Sequence, residues 1–176
     1  MAGKGKYYES QFEEATIELL RESHWQYTFG DDIHRKYTDP LIEEDLRTFL
    51  AAQYKDKKLT ASEMDGIVAN LRNTGGQNDY YAQQNTFLLY RDGYDFTYSD
   101  GRDNPFRLQY IDFEHPDHNI FRCVNQFVME QGRENRRPDI LLFVNGIPVC
   151  IVELKNPTKQ NATIRDAHTQ ICTRYM

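Results

Sequence analysis

The stretch that decides the fold is residues 136–159, which read RRPDILLFVNGIPVCIVELKNPTK. Two apolar runs rich in Val, Ile, Leu and Phe flank an Asn-Gly pair, a pattern that predicts a β-hairpin. Asp139 opens the first predicted strand, and Glu153 and Lys155 stand at the end of the second. Because a buried charge without a partner is costly, we expect these three charges to be compensated at this place in the fold.

Strand periodicity decides which of these charges share a face of the sheet. Glu153 and Lys155 are two positions apart, so their side chains leave the same face. A two-residue turn would put Asp139 opposite Val152, on the other face. A three-residue turn, with Gly146 in the left-handed region as a bulge residue, would put Asp139 diagonal to Glu153 on one face. We predict the bulged three-residue turn.

Two carboxylates and an ammonium on one sheet face predict a site for a hard cation. Oxygen ligands suit Mg²⁺, which commonly uses one or two carboxylates together with a substrate phosphate. The ion would polarise a phosphodiester and lower the pKa of a bound water. The amine could orient that water or offset charge that grows on the phosphate. The alternative is a buried ion pair that only closes the end of a strand.

The spacing within this stretch resembles a known signature. Pro138-Asp139, thirteen intervening residues and then Glu153-Leu154-Lys155 resemble the PD-(D/E)xK nuclease motif. The flanking segments are similar to the N-terminal nuclease domain of the restriction (R) subunit of type I restriction-modification enzymes; these segments are 119–121, 124–127, 137–140, 144–148 and 152–156. The resemblance implies an α/β fold, with a mixed central β-sheet flanked by helices and a restriction-endonuclease-like (PD-(D/E)xK) core.

The resemblance also implies roles for the motif residues. Asp139 and Glu153 would be ligands of Mg²⁺, for which Mn²⁺ would substitute. The Leu154 backbone carbonyl is the expected third ligand. Lys155 would be the activating amine. In this interpretation Asp139, Glu153 and Lys155 are the catalytic residues.

Three auxiliary residues are suggested by the same resemblance. Glu13 lies in a predicted N-terminal helix and would approach the metal site as an additional acid; alternatively it is a solvent-facing glutamate without a function. Gln170 and Tyr175 resemble a Gln-x-x-x-Tyr element, but here the spacing is one residue longer. Five residues rotate a helix by roughly 140°, so Gln170 would share a face with Arg174 instead.

We predict a single nuclease domain over residues 1–176, as the N-terminal fragment of a longer chain. Residues 1–105 would form a mainly helical accessory part and residues 106–176 the catalytic core. Periodicity predicts helices at 7–22, with Tyr8, Phe12, Ala15 and Leu19 on the buried face, and at 41–54, 61–73 and 162–176. It predicts strands at 86–90, 96–98, 106–113 and 120–130, a loop at 75–85, and a hairpin or irregular connection at 25–38.

Charge is distributed unevenly along the chain. The formal net charge is −6, which argues against binding nucleic acid through bulk electrostatics. Residues 131–176, however, carry seven basic and four acidic side chains, a local net charge of +3. We therefore expect a DNA-facing surface around the motif. Its candidate contacts are Arg136, Arg137, Lys159 and Arg165.

The remaining composition limits the class of protein. No apolar run approaches the ~20 residues of a membrane span, so we predict no membrane association and a cytoplasmic location. Cys123, Cys150 and Cys172 lack metal-site spacing and are predicted to be buried free thiols. The segment His115-Pro116-Asp117-His118 fits no zinc framework and predicts a turn.

The resemblance implies an endonuclease domain that hydrolyses double-stranded DNA within a complex containing methylation and specificity subunits. ATP would act only through motor domains outside this chain, because no Gly-x-x-x-x-Gly-Lys-Ser/Thr loop is present. One alternative is a DNA-binding or subunit-assembly module of the same fold that does not cleave. Another is a nuclease of a different PD-(D/E)xK branch, such as a junction resolvase.

Overall fold

The structure is a computed structural model that describes residues 9–73, 79–131, 134–155 and 164–174. The chain forms two compact units. The sheet unit comprises Met1–Leu41 and Phe121–Met176, and the helical unit comprises Ile42–Ile120. Within the described ranges, no helix combines the length and the apolar character needed to cross a membrane.

The sheet unit is built on a four-stranded mixed sheet with the order β1-β4-β7-β8. Its strands are β1 (Gln26–Phe29), β4 (Phe121–Asn125), β7 (Ile140–Val144) and β8 (Ile147–Val152). Only β1 and β4 pair in parallel; the other two pairs are antiparallel. The unit also contains helices α1 (Glu9–Glu22) and α5 (Ile164–Arg174) and a ribbon of β5 (Met129–Gln131) and β6 (Glu134–Arg136). The predicted mixed central sheet with helices is confirmed.

The turn of the motif hairpin has two residues, so the predicted three-residue turn is wrong. Val144 pairs directly with Ile147, and the φ angles of Asn145 and Gly146 are 51° and 75°. Positive φ at both central positions is the requirement of a type I′ turn, which Asn-Gly satisfies at low cost.

A bulge inside β8 puts the two acids on one face of the sheet, as predicted, but directly opposite each other and not diagonal. Leu142 pairs with Cys150 but Phe143 pairs with Pro148, so Val149 is an extra residue in the strand. Proline has no N–H to donate, and ladders are commonly interrupted beside it. Beyond the bulge, Ile140 pairs with Val152. Continuing this register by one residue puts Asp139 opposite Glu153.

We expect Gly146→Val to destabilise the protein by about 1 kcal/mol or more, because a β-branched residue resists positive φ. Urea unfolding of the variant and the wild type measures the difference. Gly66→Ala is the control: this helical glycine has open space around it, and alanine there should be neutral or stabilising. An unchanged stability of Gly146→Val would contradict the expectation.

Helix α1 packs on the sheet through a different face from the one predicted. Ile17 is buried against Cys123 and Ile140, whereas Leu19 is 64% exposed. The sheet-facing positions follow helical spacing from Glu13 through Ile17. Glu13 is consequently half-buried on the sheet side of the helix, which corrects its interpretation as a solvent-facing glutamate.

The helical unit contains α2 (Glu43–Gln53), α3 (Ala61–Arg72) and α4 (Asp79–Asp92), with a two-stranded sheet of β2 (Tyr94–Phe96) and β3 (Phe106–Leu108). Helices α2 and α3 confirm the predictions. The predicted apolar face of the former is buried, and it consists of Ile42, Leu46, Phe49 and Leu50. Thr60 and Glu63 form a capping box at the start of the latter.

Five local predictions are wrong. Residues 86–90, predicted as a strand, and residues 79–85, predicted as loop, are part of α4. The segment 106–113 contributes only β3, which pairs with β2 and not with the central sheet. Part of 25–38 is a regular strand, β1, because its parallel partner is almost a hundred residues away and local patterning does not reveal it. Of the three free cysteines, Cys123 is buried but Cys150 and Cys172 are exposed.

We expect Glu63 to make the stability of the protein sensitive to acid. Hydrogen bonds from Arg102 and from the Thr60 backbone lower the pKa of Glu63 from 4.5 to about 2. A lowered folded-state pKa stabilises the protein above pH 4.5, and this stabilisation is lost as the pH falls from 4.5 to 2. Urea unfolding between pH 2 and 6 should show a smaller loss in Glu63→Gln than in the wild type. Glu44→Gln, at an exposed position, should keep the wild-type profile.

Candidate active site

The motif acids lie at the same end of two neighbouring antiparallel strands. Asp139 immediately precedes β7, and Glu153 immediately follows β8. The Leu154 backbone N–H donates to Asp139 Oδ2 at 2.7 Å. Asp139 is thus fixed to the segment that carries both Glu153 and Lys155, as the motif interpretation requires.

Glu153, Lys155 and Gln170 form a connected polar network. Gln170 Nε2 donates to Glu153 Oε2 at 2.6 Å, and Lys155 Nζ donates to Gln170 Oε1 at 2.6 Å. The Lys155 Nζ to Glu153 Oε2 distance is 3.9 Å, which is too long for a hydrogen bond. The neutral amide of Gln170 therefore stands between the acid and the amine.

Burial differs sharply between the two charged members of this network. The Glu153 side chain is 2% exposed, and the Lys155 side chain is 26% exposed. Removing a carboxylate from water is costly, so the charge of Glu153 must be compensated locally. The donor from Gln170 and the nearby ammonium supply part of this compensation, and a bound cation would supply more.

Alternation along the strands separates the site from the core beneath α1. Val152 and Leu154 pack into the cluster around Ile17, whereas Glu153 and Lys155 meet α5 through Gln170. The predicted division of these side chains between the two faces is confirmed. The ionic groups lie on one face, and the apolar ones anchor the strand from the other.

Glu13 reaches the sheet at the end of β4. Its carboxylate accepts from Asn125 Nδ2 at 2.7 Å, and Gln126 Nε2 lies 3.4 and 3.5 Å from its two oxygens. The Gln126 backbone N–H in turn donates to the Asp139 carbonyl at 3.3 Å. Glu13 is therefore connected to Asp139 through Gln126, and the structure describes no direct contact between the two carboxyl groups.

Asn125 and Gln126 are the polar residues for which the sequence predicted no role. Gln126 has a φ of 55°, a conformation that is uncommon outside glycine and that marks the end of β4. The segment 124–127 was part of the resemblance, but periodicity does not distinguish its amides from ordinary residues at a strand end.

A cavity of about 690 Å³ adjoins the site within the sheet unit. Leu141 and Ile151 line it, and each lies two positions from a motif acid, so the cavity opens on the sheet face of Asp139 and Glu153. Ile171 of α5 closes part of it next to Gln170.

The predicted DNA contacts occupy different environments. Arg137 and Arg165 are exposed, whereas Arg136 is half-buried and lines the cavity. Lys159 and Tyr175 lie outside the described residues. Among the candidates that the structure describes, Arg137 and Arg165 have side chains that a DNA phosphate could reach from solvent.

Comparison with known proteins gives a consistent match. The family model described as the N terminus of the type I restriction enzyme R protein matches residues 6–176. The chain is 29% identical over 175 residues to the type I restriction enzyme HindI endonuclease subunit of Haemophilus influenzae, covering 94% of this chain and 16% of that protein. It is 48% identical over 63 residues to a Methanocaldococcus jannaschii protein assigned as the type I restriction enzyme MjaIXP endonuclease subunit, covering 34% and 6%. The chain thus spans less than a fifth of the length of either relative.

Proposed function

This chain belongs to the family of type I restriction enzyme R protein N termini, and on that premise we propose that it is a Mg²⁺-dependent endonuclease domain that hydrolyses phosphodiester bonds of double-stranded DNA. One observation carries the proposal. Asp139, held by the Leu154 amide, and Glu153, joined to Lys155 through Gln170, meet at one edge of the sheet.

The donor set of this edge fits a hard divalent cation. Asp139 and Glu153 offer carboxylate oxygens, and the Leu154 carbonyl between Glu153 and Lys155 offers a third oxygen. The Leu154 N–H donates to Oδ2 of Asp139 and holds this carboxylate beside the segment that carries Glu153. When bound, Mg²⁺ or Mn²⁺ would polarise the phosphate and acidify a water.

Lys155 and Gln170 would position the nucleophile and the scissile phosphate. Gln170 Oε1 orients the Lys155 ammonium, so the amine is held near Glu153 without being hydrogen-bonded to it. An ammonium placed there can hold the attacking water or offset the negative charge that grows on the phosphate. Glu13 would act as an auxiliary acid. It would be held near the site by Gln126, whose side chain contacts Glu13 and whose backbone N–H donates to the Asp139 carbonyl.

The proposed setting is a complex. The R subunit would act on DNA together with methylation and specificity subunits in the cytoplasm, and ATP would be used by domains outside this chain. Arg137 and Arg165 would contact phosphates, since both are exposed in the sheet unit that holds the acids.

A metal titration separates a nuclease from a module that only binds. Mn²⁺ added to this chain should be bound, as electron paramagnetic resonance of the free ion reports, and Mg²⁺ should displace it. The complex assembled with this chain in its R subunit should then nick supercoiled plasmid. Absence of Mn²⁺ binding, together with translocation without nicking, would support the non-cleaving module.

A further inference from the structure

A second group of metal-ligating side chains, which contains none of the motif acids, lies in the helical unit. Asp112, His115 and His118 each offer a ligand atom, and these atoms all lie within 4.8 Å of one another. The two imidazole rings are stacked, with centroids 4.9 Å apart and an interplanar angle of 18°. The predicted mechanism uses none of these residues.

A short 3₁₀ turn at Pro116–His118 creates this arrangement. The His118 N–H donates to the His115 carbonyl at 3.0 Å, which closes the turn. With three residues per turn, side chains at positions i and i+3 lie above one another. The segment is therefore a turn, as the sequence predicted, and the turn itself brings the histidines to the same side as Asp112.

Both imidazole rings place a nitrogen close to Asp112 Oδ2. Nδ1 of His118 lies 3.2 Å from this oxygen, and Nδ1 of His115 lies 3.6 Å from it. Ligand atoms about 2.1 Å from a tetrahedral Zn²⁺ are separated by roughly 3.4 Å. Small rotations of two exposed rings would bring both nitrogens and the oxygen onto one ion.

Asp112 is fixed in place by hydrogen bonds that leave Oδ2 directed at the histidines. Its Oδ1 accepts from the N–H groups of Glu114 and His115 at 3.0 and 2.8 Å. The Asn119 side chain binds the Asp112 backbone at both its N–H and its carbonyl, at 2.9 and 2.7 Å. Gln53 Nε2 donates to Oδ2 at 3.0 Å, as an outer partner of a metal-binding carboxylate would. The site is thus organised before any ion binds.

We propose that Asp112, His115 and His118 form a binding site for Zn²⁺, separate from the oxygen-ligated site of the motif acids. The Asp112 side chain is 6% exposed, whereas those of His115 and His118 are 61% and 52% exposed. The ion would therefore sit on the solvent side of the carboxylate, with water in its fourth position. Imidazole ligands favour Zn²⁺ over Mg²⁺, so the two sites discriminate between the two ions by chemistry.

Isothermal titration of the chain with Zn²⁺ tests the proposal when millimolar Mg²⁺ is present to occupy oxygen ligands. His115→Gln and His118→Gln should each weaken one Zn²⁺-binding event at least tenfold. His34→Gln, at another exposed histidine, should leave the isotherm unchanged. Zn²⁺ should also shift the ring resonances of His115 and His118 in the wild type.

The exposed positions of both rings make it simple to separate folding from binding. Circular dichroism should be the same for the wild type and all three variants. Zn²⁺ should raise the thermal midpoint of the wild type and of His34→Gln more than that of the other two variants. Zn²⁺ affinity that is equal in His118→Gln and wild type, or ring resonances that do not move, would overturn the assignment.

Discussion

Asp139→Ala is expected to abolish DNA nicking by the assembled enzyme and to remove the binding of Mg²⁺ and Mn²⁺ at the motif acids. The substitution leaves Glu153 as the single carboxylate at the strand ends, and one carboxylate holds a divalent ion poorly. Lewis-acid stabilisation is worth several kcal/mol and each 1.4 kcal/mol is tenfold, so nicking should fall by about a thousandfold or more. Plasmid nicking and Mn²⁺ titration on the same preparations measure the two effects.

Asp139→Asn is the variant that isolates the charge. An asparagine oxygen can still accept the hydrogen bond from the Leu154 N–H, so the strand ends should stay in place. Loss of nicking in both variants, with unchanged circular dichroism, would assign the effect to metal binding. Asp31→Ala, at an exposed acid, should nick like the wild type. Near wild-type nicking by Asp139→Ala would show that the site is misassigned.

Removing this acid should not weaken the metal-free fold. The register of β7 and β8, continued by one residue, puts Asp139 opposite Glu153, and like charges in proximity disfavour one another. The thermal midpoint of Asp139→Asn without metal is therefore expected to equal or exceed that of the wild type.

Lys155→Ala is expected to separate metal binding from turnover. An ammonium cannot ligate a cation, and its removal deletes a repelling charge, so Mn²⁺ affinity should be equal or slightly higher. Nicking should nevertheless fall by a hundredfold or more, about the loss seen when a single transition-state donor is removed. DNA binding should persist because exposed arginines remain.

The alternative role of Lys155 is to neutralise Glu153 within a structural ion pair. Lys155 Nζ donates to Gln170 and also lies 3.9 Å from Glu153 Oε2, which is within ion-pair distance, so substitutions must distinguish the two roles. Gln170→Leu gives an independent measurement, since it removes the bridge while keeping both charges. Turnover should then fall while Mn²⁺ is still bound. An active Lys155→Ala would remove this residue from the mechanism.

Local sequence patterns correctly predicted the helices that are stabilised by contacts between residues close in the chain. Helix α3 begins where Thr60 and Glu63 cap it, and α2 buries the four apolar residues that helical spacing selected. Caps and periodic faces depend on residues three or four apart, which the sequence displays directly.

Nonlocal pairing decided what the sequence analysis missed. The apolar run Phe87-Leu88-Leu89-Tyr90 suits a strand but forms part of α4, and β3 pairs with β2 instead of entering the central sheet. Strand β1 was missed because its partner β4 is distant in sequence and the pairing is parallel. Short apolar runs do not reveal which partner will bury them.

Some features of the candidate site were likewise predictable from the sequence, and others depended on the tertiary structure. The sequence by itself determined which residue types stand at the strand ends, and the period of a strand placed Glu153 and Lys155 on one face. Only the tertiary structure decided how Asp139 joins them, because a two-residue turn and a bulge at Val149 together set the register. It also decided that Gln170 bridges the acid and the amine and that α1 turns Glu13 toward the sheet, since both contacts depend on helices packed from distant segments of the chain.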